Sequence, residues 1–486
     1  MFHIRPIALV VGTMLTTLGL AMILPILLDL AADNHDWQAF FASAALTLFV
    51  GIALIFVGRE PEGNGRTELN IRDAFLLTTA SWVVMAVFAA LPFILADIEL
   101  NYTDAFFEAM SGLTTTGSTV ISGLDRMPPG ILMWRALLQW LGGIGIIVTA
   151  VAVLPMLQIG GMQLFRAESS DASEKLLPRA AQIATVIGSL YMLLSVVCAL
   201  AYYLAGMTAF EAVAHAMTTI ATGGFSTSDS SIAYFDSAAI DTIAIIFMII
   251  GSLPFLLYWR MVRGEPFCLL RDSQVRAFFG LITVAIIMLT LYQWMGGYNE
   301  NTTAFRYAAF NVISIITGTG YATTDYVLWG SFGITAFFFL MFTGGCAGST
   351  SCGVKIFRLQ VLYLSAMTQI KRVMLPHGVF HTRYNGRPLP DEAASSVKSF
   401  FFLFVLSFGM VALIMALLGL DYITAISAAA TAIANVGPGL GPIIGPVGNF
   451  GSLPDMAKWV LSGAMLLGRL ELFTVLVLFL PRFWRG

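Results

Sequence analysis

Four stretches of the chain end in turns rich in threonine and glycine: FEAMSGLTTTGST, VAHAMTTIATGGFST, FNVISIITGTGYATT and SAAATAIANVGPGL. Aligned on Gly117, Gly223, Gly320 and Gly437, each glycine follows Thr116, Thr222, Thr319 or Val436, and these follow Thr115, Ala221, Gly318 or Asn435. The glycines lie 106, 97 and 117 residues apart, so a unit of about 100 residues recurs four times. The residues before each turn are apolar over roughly 10–15 positions, too few to cross a bilayer but enough for a re-entrant half-helix. A half-helix that ends inside the membrane leaves carbonyl oxygens free at the negative end of its dipole. Four such ends around one axis favour a cation. Glycine permits the backbone dihedrals that aim successive carbonyls at that axis. Rings of carbonyls in place of hydration water are how potassium channels select, and threonine hydroxyls add further oxygens. A single turn of this kind is equally well a helix-breaking glycine in packed protein. Four in the same topological place point to a shared site.

The elements that must carry these turns follow from composition. The chain has 486 residues, of which 58% are hydrophobic and 11% charged, against about 25% charged in soluble domains. Mean hydropathy is +0.84. These values exclude a disordered chain, a nucleic-acid binder and an ordinary soluble enzyme, and leave a polytopic membrane protein in contact with lipid. Ten apolar runs are long enough to span: 4–30, 37–57, 73–96, 132–157, 180–205, 238–262, 275–297, 327–365, 395–419 and 456–481. Alternate loops and the two termini hold 20 of the 25 basic residues in the chain: Arg5, Arg59, Arg66, Arg72, Arg166, Lys175, Arg179, those from Arg260 to Arg276 and from Lys355 to Lys398, Arg482 and Arg485. By the positive-inside rule both termini and these loops are cytoplasmic. Each unit then reads as helix, half-helix, turn, helix. The division is two added helices in 1–60, unit 1 in 70–165, unit 2 in 176–265, unit 3 in 272–368, a cytoplasmic basic loop in 369–394 and unit 4 in 395–486.

Two further features sit at membrane depth. The run 327–365 is interrupted by Gly344, Gly345, Cys346, Ala347, Gly348, Ser349, Thr350, Ser351, Cys352 and Gly353. Four glycines and three hydroxyl residues do not sustain a uniform helix. The stretch is either a kinked helix with small-residue packing or an intramembrane loop across the path. It is not a nucleotide P-loop, because Val354 stands between Gly353 and Lys355. Cys346 and Cys352 lack a nearby third ligand for a metal. Arg469 lies midway along the last run, where a charge costs about 2.5–3.5 kcal/mol. It either pairs with another helix or presents a positive charge beneath the turns. Glu471 is two residues away and points elsewhere. Asp125, Asp229 and Asp325 follow three turns and either gather cations at the mouth or are solvated loop carboxylates. Glu108 and Asn311 occupy matching half-helix positions and, with His215, are expected to hold packing by hydrogen bonds.

On these four turns, the interrupted eighth run and Arg469, the chain resembles the TrkH family, the membrane subunits of Trk potassium uptake systems in the Trk/Ktr/HKT superfamily. The resemblance runs through all four units and the two added helices. It implies an all-α polytopic membrane protein of four M1–P–M2 potassium-channel-like units in pseudo-fourfold arrangement, plus two N-terminal transmembrane helices. It makes the twelve residues aligned above an ion selectivity filter for potassium, the transported ion, with no bound catalytic cofactor. Some plant relatives that favour sodium carry serine for the first filter glycine, so four glycines imply potassium. Pro438 removes an amide from the fourth strand, so the ring is not truly fourfold. The resemblance also implies that 344–353 is a gate, that Arg469 tunes cation passage or anchors it, and that the protein is a homodimer in the bacterial inner membrane. Its regulator is implied to be a cytoplasmic TrkA-like ring of nucleotide-binding domains. The basic stretch carrying Lys371, Arg372, His377, His381, Arg383 and Arg387 either docks such a partner or only sets topology. Rival readings are a sodium-coupled or sodium-permeable Ktr-like transporter, a proton–potassium symporter, and a membrane enzyme. The symporter needs titratable residues in the path, of which the pore segments offer almost none apart from Arg469, and the enzyme needs a cluster of His, Asp or Cys at one face, which the sequence does not show.

Overall fold

The computed structural model describes residues 3–59, 70–148, 180–298, 301–380 and 382–485. Arg66, Arg166, Lys175, Arg179, His381 and the end of the run 132–157 lie outside the described residues. The chain is an all-α polytopic membrane protein, with one two-stranded hairpin at Arg383–Tyr384 and Arg387–Pro388.

The N-terminal pair is formed by Ile4–Ala31 and Trp37–Gly58. Small residues bring the two backbones together: a Cβ on Gly12 would stand 2.7 Å from Gly51 O, and one on Gly51 2.7 Å from Thr16 Oγ1. Close approach through small residues supplies the dispersion contact that drives association where lipid is as apolar as the partner helix. The hydroxyls of Thr16, Ser43 and Thr47 donate to carbonyls one turn back, at 2.7–2.8 Å, so these three donors are paired within their own helices. Asp29 ties this pair to the first unit by accepting Gly130 N at 2.7 Å. Its carboxylate thus meets the positive end of the helix that Pro129 begins.

Each of the four units has an outer helix, a half-helix and an inner helix. The outer helices are Ile71–Leu95, Ala180–Leu204, Ser273–Met295 and Asp391–Leu417. The half-helices are Tyr102–Leu113, Ala209–Ile220, Asn301–Ile316 and Tyr422–Ala434. Side-chain caps start three of them, through Asn101, Thr208 and Asp421. The first inner helix, Pro129–Val148, is 78% buried over its apolar window, against 22–39% for the outer helices. Among the described residues, three inner helices are not continuous. The second bends by 92° between Ala238–Ser252 and Phe255–Val262, and the fourth by 112° between Asp455–Arg469 and Phe473–Phe479. In the sequence 238–262 and 456–481 are each one apolar run, and each is a bent pair of helices in the structure. Pro254 breaks the one, and a left-handed Glu471 (φ 61°) breaks the other. The third consists of Gly330–Met341 and Ile356–Met374, separated by non-helical chain. This last helix runs through Lys371 and Arg372, so the basic stretch is partly helical before its hairpin turns at Asn385-Gly386.

The units close into a ring. The inner helix of each packs on the half-helix of the next: first on second, second on third, third on fourth and fourth on first. Ion pairs reinforce two seams. Arg306 Nε of the third half-helix lies 2.6 Å from Asp241 of the second inner helix, and Lys458 Nζ of the fourth inner helix lies 2.5 Å from Asp104 of the first half-helix. The apolar core divides accordingly. One cluster joins the N-terminal pair with units 1 and 4, and another joins units 2 and 3.

Because Gly51 carries the close contact of the N-terminal pair, Gly51→Leu is expected to overpack it by about 1–3 kcal/mol. Thermal unfolding in detergent is expected to show a lower Tm for this variant. Phe56→Leu, on an exposed face, is expected to melt as wild type.

Candidate functional site

The ring brings the four turns to one place. Each half-helix ends in the same hydrogen-bond pattern: Thr116 N, Gly223 N, Thr319 N and Val436 N each donate to the carbonyl five residues back, at 2.9–3.0 Å. One residue earlier the backbone is left-handed, at Thr115 (φ 52°), Thr222 (50°), Gly318 (72°) and Asn435 (53°). One residue later it is left-handed again, at Gly117 (87°), Gly224 (80°), Gly320 (82°) and Gly437 (109°). This register corrects the alignment of the second unit by one residue. Gly224, not Gly223, corresponds to Gly117, and Thr222, not Ala221, corresponds to Thr115. The doublet Gly223-Gly224 offers two candidates for one position.

The glycines face the neighbouring strands. A Cβ on Gly117 would collide with Gly223 O, one on Gly224 with Thr319 O, and one on Gly320 with Val436 O. A Cβ on Gly437 would come within 2.8 Å of Thr116 O. The four oxygens named are those of the same register position, so they form a single closed ring. A Cβ on Gly117 would also lie 3.6 Å from Thr319 O, on the strand across the ring. Any side chain here would therefore fill the space between the oxygens. Three non-glycine residues held at positive φ cost on the order of 1–3 kcal/mol each, and the surrounding bonds must hold them there.

Those bonds come largely from residues that sequence reasoning did not single out. Arg135, on the first inner helix, is 1% exposed. It donates to Glu108 at 2.8 Å, to Ser226 O at 2.7 Å and to Thr119 Oγ1 at 3.2 Å. Glu108 also accepts Val120 N at 2.9 Å. Gln139, one turn further on, donates to Gly223 O at 2.5 Å and accepts Phe225 N at 3.0 Å. Asn435 Nδ2 reaches Thr116 Oγ1 at 2.8 Å and Met465 O at 2.9 Å. The expectation for the half-helix polar residues agrees with this geometry. Asn311 bonds Thr323 Oγ1 at 3.0 Å, and His215 bonds Glu211 O and Ser226 Oγ at 2.9 and 3.0 Å. The missed signal was spacing: Arg135 and Gln139 stand at i and i+4 on one helix face.

Above the ring lies a cavity of about 260 Å³, lined by Gly117, Gly224, Gly320, Gly437, Asp229 and the segment 445–450. Two of the acids after the turns accept backbone amides, Asp229 from the neighbouring unit and Asp325 from its own turn. Asp229 accepts Gly123 N and Leu124 N at 2.9 and 3.2 Å, and Asp325 accepts Val327 N at 3.0 Å. Asp125 sits in the short turn Leu124–Arg126.

Below the ring the segment 344–353 is a loop, which excludes the kinked-helix alternative. It starts and ends in an isolated parallel bridge between Thr343 and Val354. Its side chains bond the ends of the half-helices. Thr350 Oγ1 donates to Ile220 O at 3.0 Å and to Gly251 O at 2.8 Å, and lies 3.2 Å from Thr222 Oγ1. Ser351 Oγ donates to Thr317 O at 2.6 Å. Cys352 Sγ lies 3.6 Å from Thr115 Oγ1. The loop thus supplies hydrogen bonds to carbonyls left free where helices stop in the membrane. Arg469 clasps it from the fourth inner helix, through Thr350 O at 3.2 Å and Cys352 Sγ at 2.5 Å, and it reaches Gly142 O at 3.4 Å. Arg469 therefore bonds loop and backbone, while Glu471 pairs with Arg358. A cavity of only about 40 Å³ remains among Lys355, Arg469, Glu471 and Ile433, room for a few waters at most.

Comparison with known proteins agrees with this architecture. The TrkH family model, described as a cation transport protein, matches residues 37–485. The chain is 45% identical over 482 residues to the Trk system potassium uptake protein TrkI of Halomonas elongata, covering 99% of this chain and 97% of that protein. It is 40% identical over 488 residues to TrkH of Salmonella typhimurium, covering 99% of this chain and 100% of that one. The crystal structure of the potassium transporter TrkH from Vibrio parahaemolyticus superimposes with a TM-score of 0.90 at 38% identity, covering 99% of this chain and 100% of that one. The chain belongs to the TrkH family of cation transport proteins.

Proposed function

We propose that the protein takes up potassium through the ring formed by Thr116 O, Gly223 O, Thr319 O and Val436 O, and that the 344–353 loop is its gate. The observation that carries this reading is the closed ring of equivalent carbonyls held by side-chain-free glycines. An ion entering from the wide upper cavity exchanges water for these oxygens. The negative ends of four half-helix dipoles lower the cost of its charge there. Gly117, Gly224, Gly320 and Gly437 keep the axis open, and relatives at 45% and 40% identity are named for potassium uptake.

In the arrangement described here the loop and Arg469 close the path beneath. Opening requires Thr350, Ser351 and Cys352 to leave the half-helix ends and Arg469 to release them. The membrane potential then drives entry with about 2.3 kcal/mol per charge at 100 mV. The basic cytoplasmic helix and hairpin, with Lys371, Arg372, Arg383 and Arg387, face a regulatory partner of the Trk-system kind, a nucleotide-responsive TrkA-like ring. Assembly as a homodimer in a bacterial inner membrane, with both termini cytoplasmic, completes the proposal.

Two experiments test it. In proteoliposomes loaded for rubidium, potassium and sodium flux, Gly320→Ser is expected to lose roughly tenfold or more in discrimination against sodium, because its Cβ enters the ring. An unchanged ratio contradicts the filter assignment. Arg469→Gln removes charge-assisted bonds worth about 1.5–3 kcal/mol each from the closed arrangement. It is expected to raise partner-independent rubidium flux roughly tenfold. Flux equal to or below wild type contradicts the gate assignment.

A further inference from the structure

The second strand differs from the others at the ring. Where strands one and three carry threonines whose hydroxyls bond a threonine two residues back at 2.7 Å (Thr116 to Thr114, Thr319 to Thr317), strand two carries Gly223 and Ala221. A Cβ on Gly223 would collide with the carboxamide of Gln139. Gln139, fully buried on the first inner helix, thus occupies the space of the missing side chain. Its amide donates to Gly223 O at 2.5 Å and its carbonyl accepts Phe225 N at 3.0 Å, so it grips the strand on both sides of Gly224. Two adjacent glycines have no side chain of their own to fix their dihedrals. The oxygen that Gln139 holds is one of the four ring oxygens.

We propose that Gln139 is a positioning residue for selectivity, which fixes the second strand's oxygen at the distance from the axis that suits a potassium-sized ion. The proposal rests on the filter reading above. The amide takes one lone pair of Gly223 O and leaves the other for the ion. With the clamp absent, the glycine pair relaxes and that oxygen follows a smaller ion inward. Sodium then loses less on entering, and the ratio of potassium to sodium falls.

The test is the potassium-to-sodium flux ratio in proteoliposomes for Gln139→Leu, Gln139→Glu and, as reference, Gly320→Ser. Gln139→Leu keeps the volume and removes the donor. It is expected to lower the ratio by roughly three- to tenfold, the size of one hydrogen bond. Gln139→Glu keeps the shape and replaces the donor with an acceptor, and is expected to lower the ratio at least as far. A role in packing alone leaves the ratio at its wild-type value in both variants, whatever happens to Tm. If both Gln139 variants keep the wild-type ratio while Gly320→Ser loses it, the positioning role is wrong and the filter stands. If none of the three changes it, the filter itself is wrong. Gln139→Leu alone decides the matter if the buried acid of Gln139→Glu prevents folding.

Discussion

A carbonyl oxygen at membrane depth must find a partner, and this fold is arranged around the places where backbone carbonyls have none within their own helices. Four half-helices stop inside the bilayer, and each leaves its last carbonyls open. The inner helices are shaped to admit those ends. A Cβ on Gly142 would overlap Leu113 O, one on Gly251 would stand 3.0 Å from Ile220 O, and one on Gly468 would overlap Ile433 O. The second and fourth inner helices also break directly after these contacts, at Ser252 and Arg469. The freed carbonyls look two ways: in the proposed mechanism those of the ring are offered to a cation, while those beneath are met by Thr350 and Ser351 of the loop. Permeation and closure in the proposed mechanism are two solutions to one hydrogen-bonding requirement.

The fourfold pattern is real in the backbone and broken in the side chains. Positive φ recurs at i and i+2 in all four turns, yet the second of these residues is followed by Ser118, Phe225, Tyr321 and Pro438. The seams differ as well. The first is held by Arg135 and Gln139, the second by Arg306 with Asp241, and the fourth by Lys458 with Asp104. The third seam joins Gly330–Met341 to the fourth half-helix, directly before the loop. A single chain is free to place buried polar side chains on one seam and the 344–353 loop on another, which four identical subunits could not do.

Much of this was legible in the sequence because the relevant signals are local. The length of each apolar run gives a span, a short run ending in Thr and Gly gives a half-helix, and recurrence supplies the symmetry. The interruption was legible because ten residues rich in glycine and hydroxyls do not sustain a uniform helix, although a kinked helix and a loop were both open until the Thr343–Val354 bridge was seen. Arg469 stood out because a charge among LLG and LEL demands a partner. What stayed hidden depends on contacts across units. Gly223 and Gly224 are equally good matches to Gly117 until Gln139, 84 residues earlier, is seen filling the space at Gly223. The bend near Glu471 gives no composition signal, because Leu470 and Leu472 suit a continuous helix as well as a break. Arg135 is a different case: its partner Glu108 lies in the same unit, 27 residues before it, and only the i, i+4 spacing with Gln139 marks that helix face in the sequence.

The central claim is that the oxygens of Thr116, Gly223, Thr319 and Val436 make one cation site. Anomalous diffraction from crystals grown in rubidium or thallium tests it most directly. The account predicts a peak on the pore axis, in contact with all four oxygens, that weakens when sodium replaces the heavy ion. An axis without such a peak, or a peak beside carboxylates elsewhere in the chain, would contradict it.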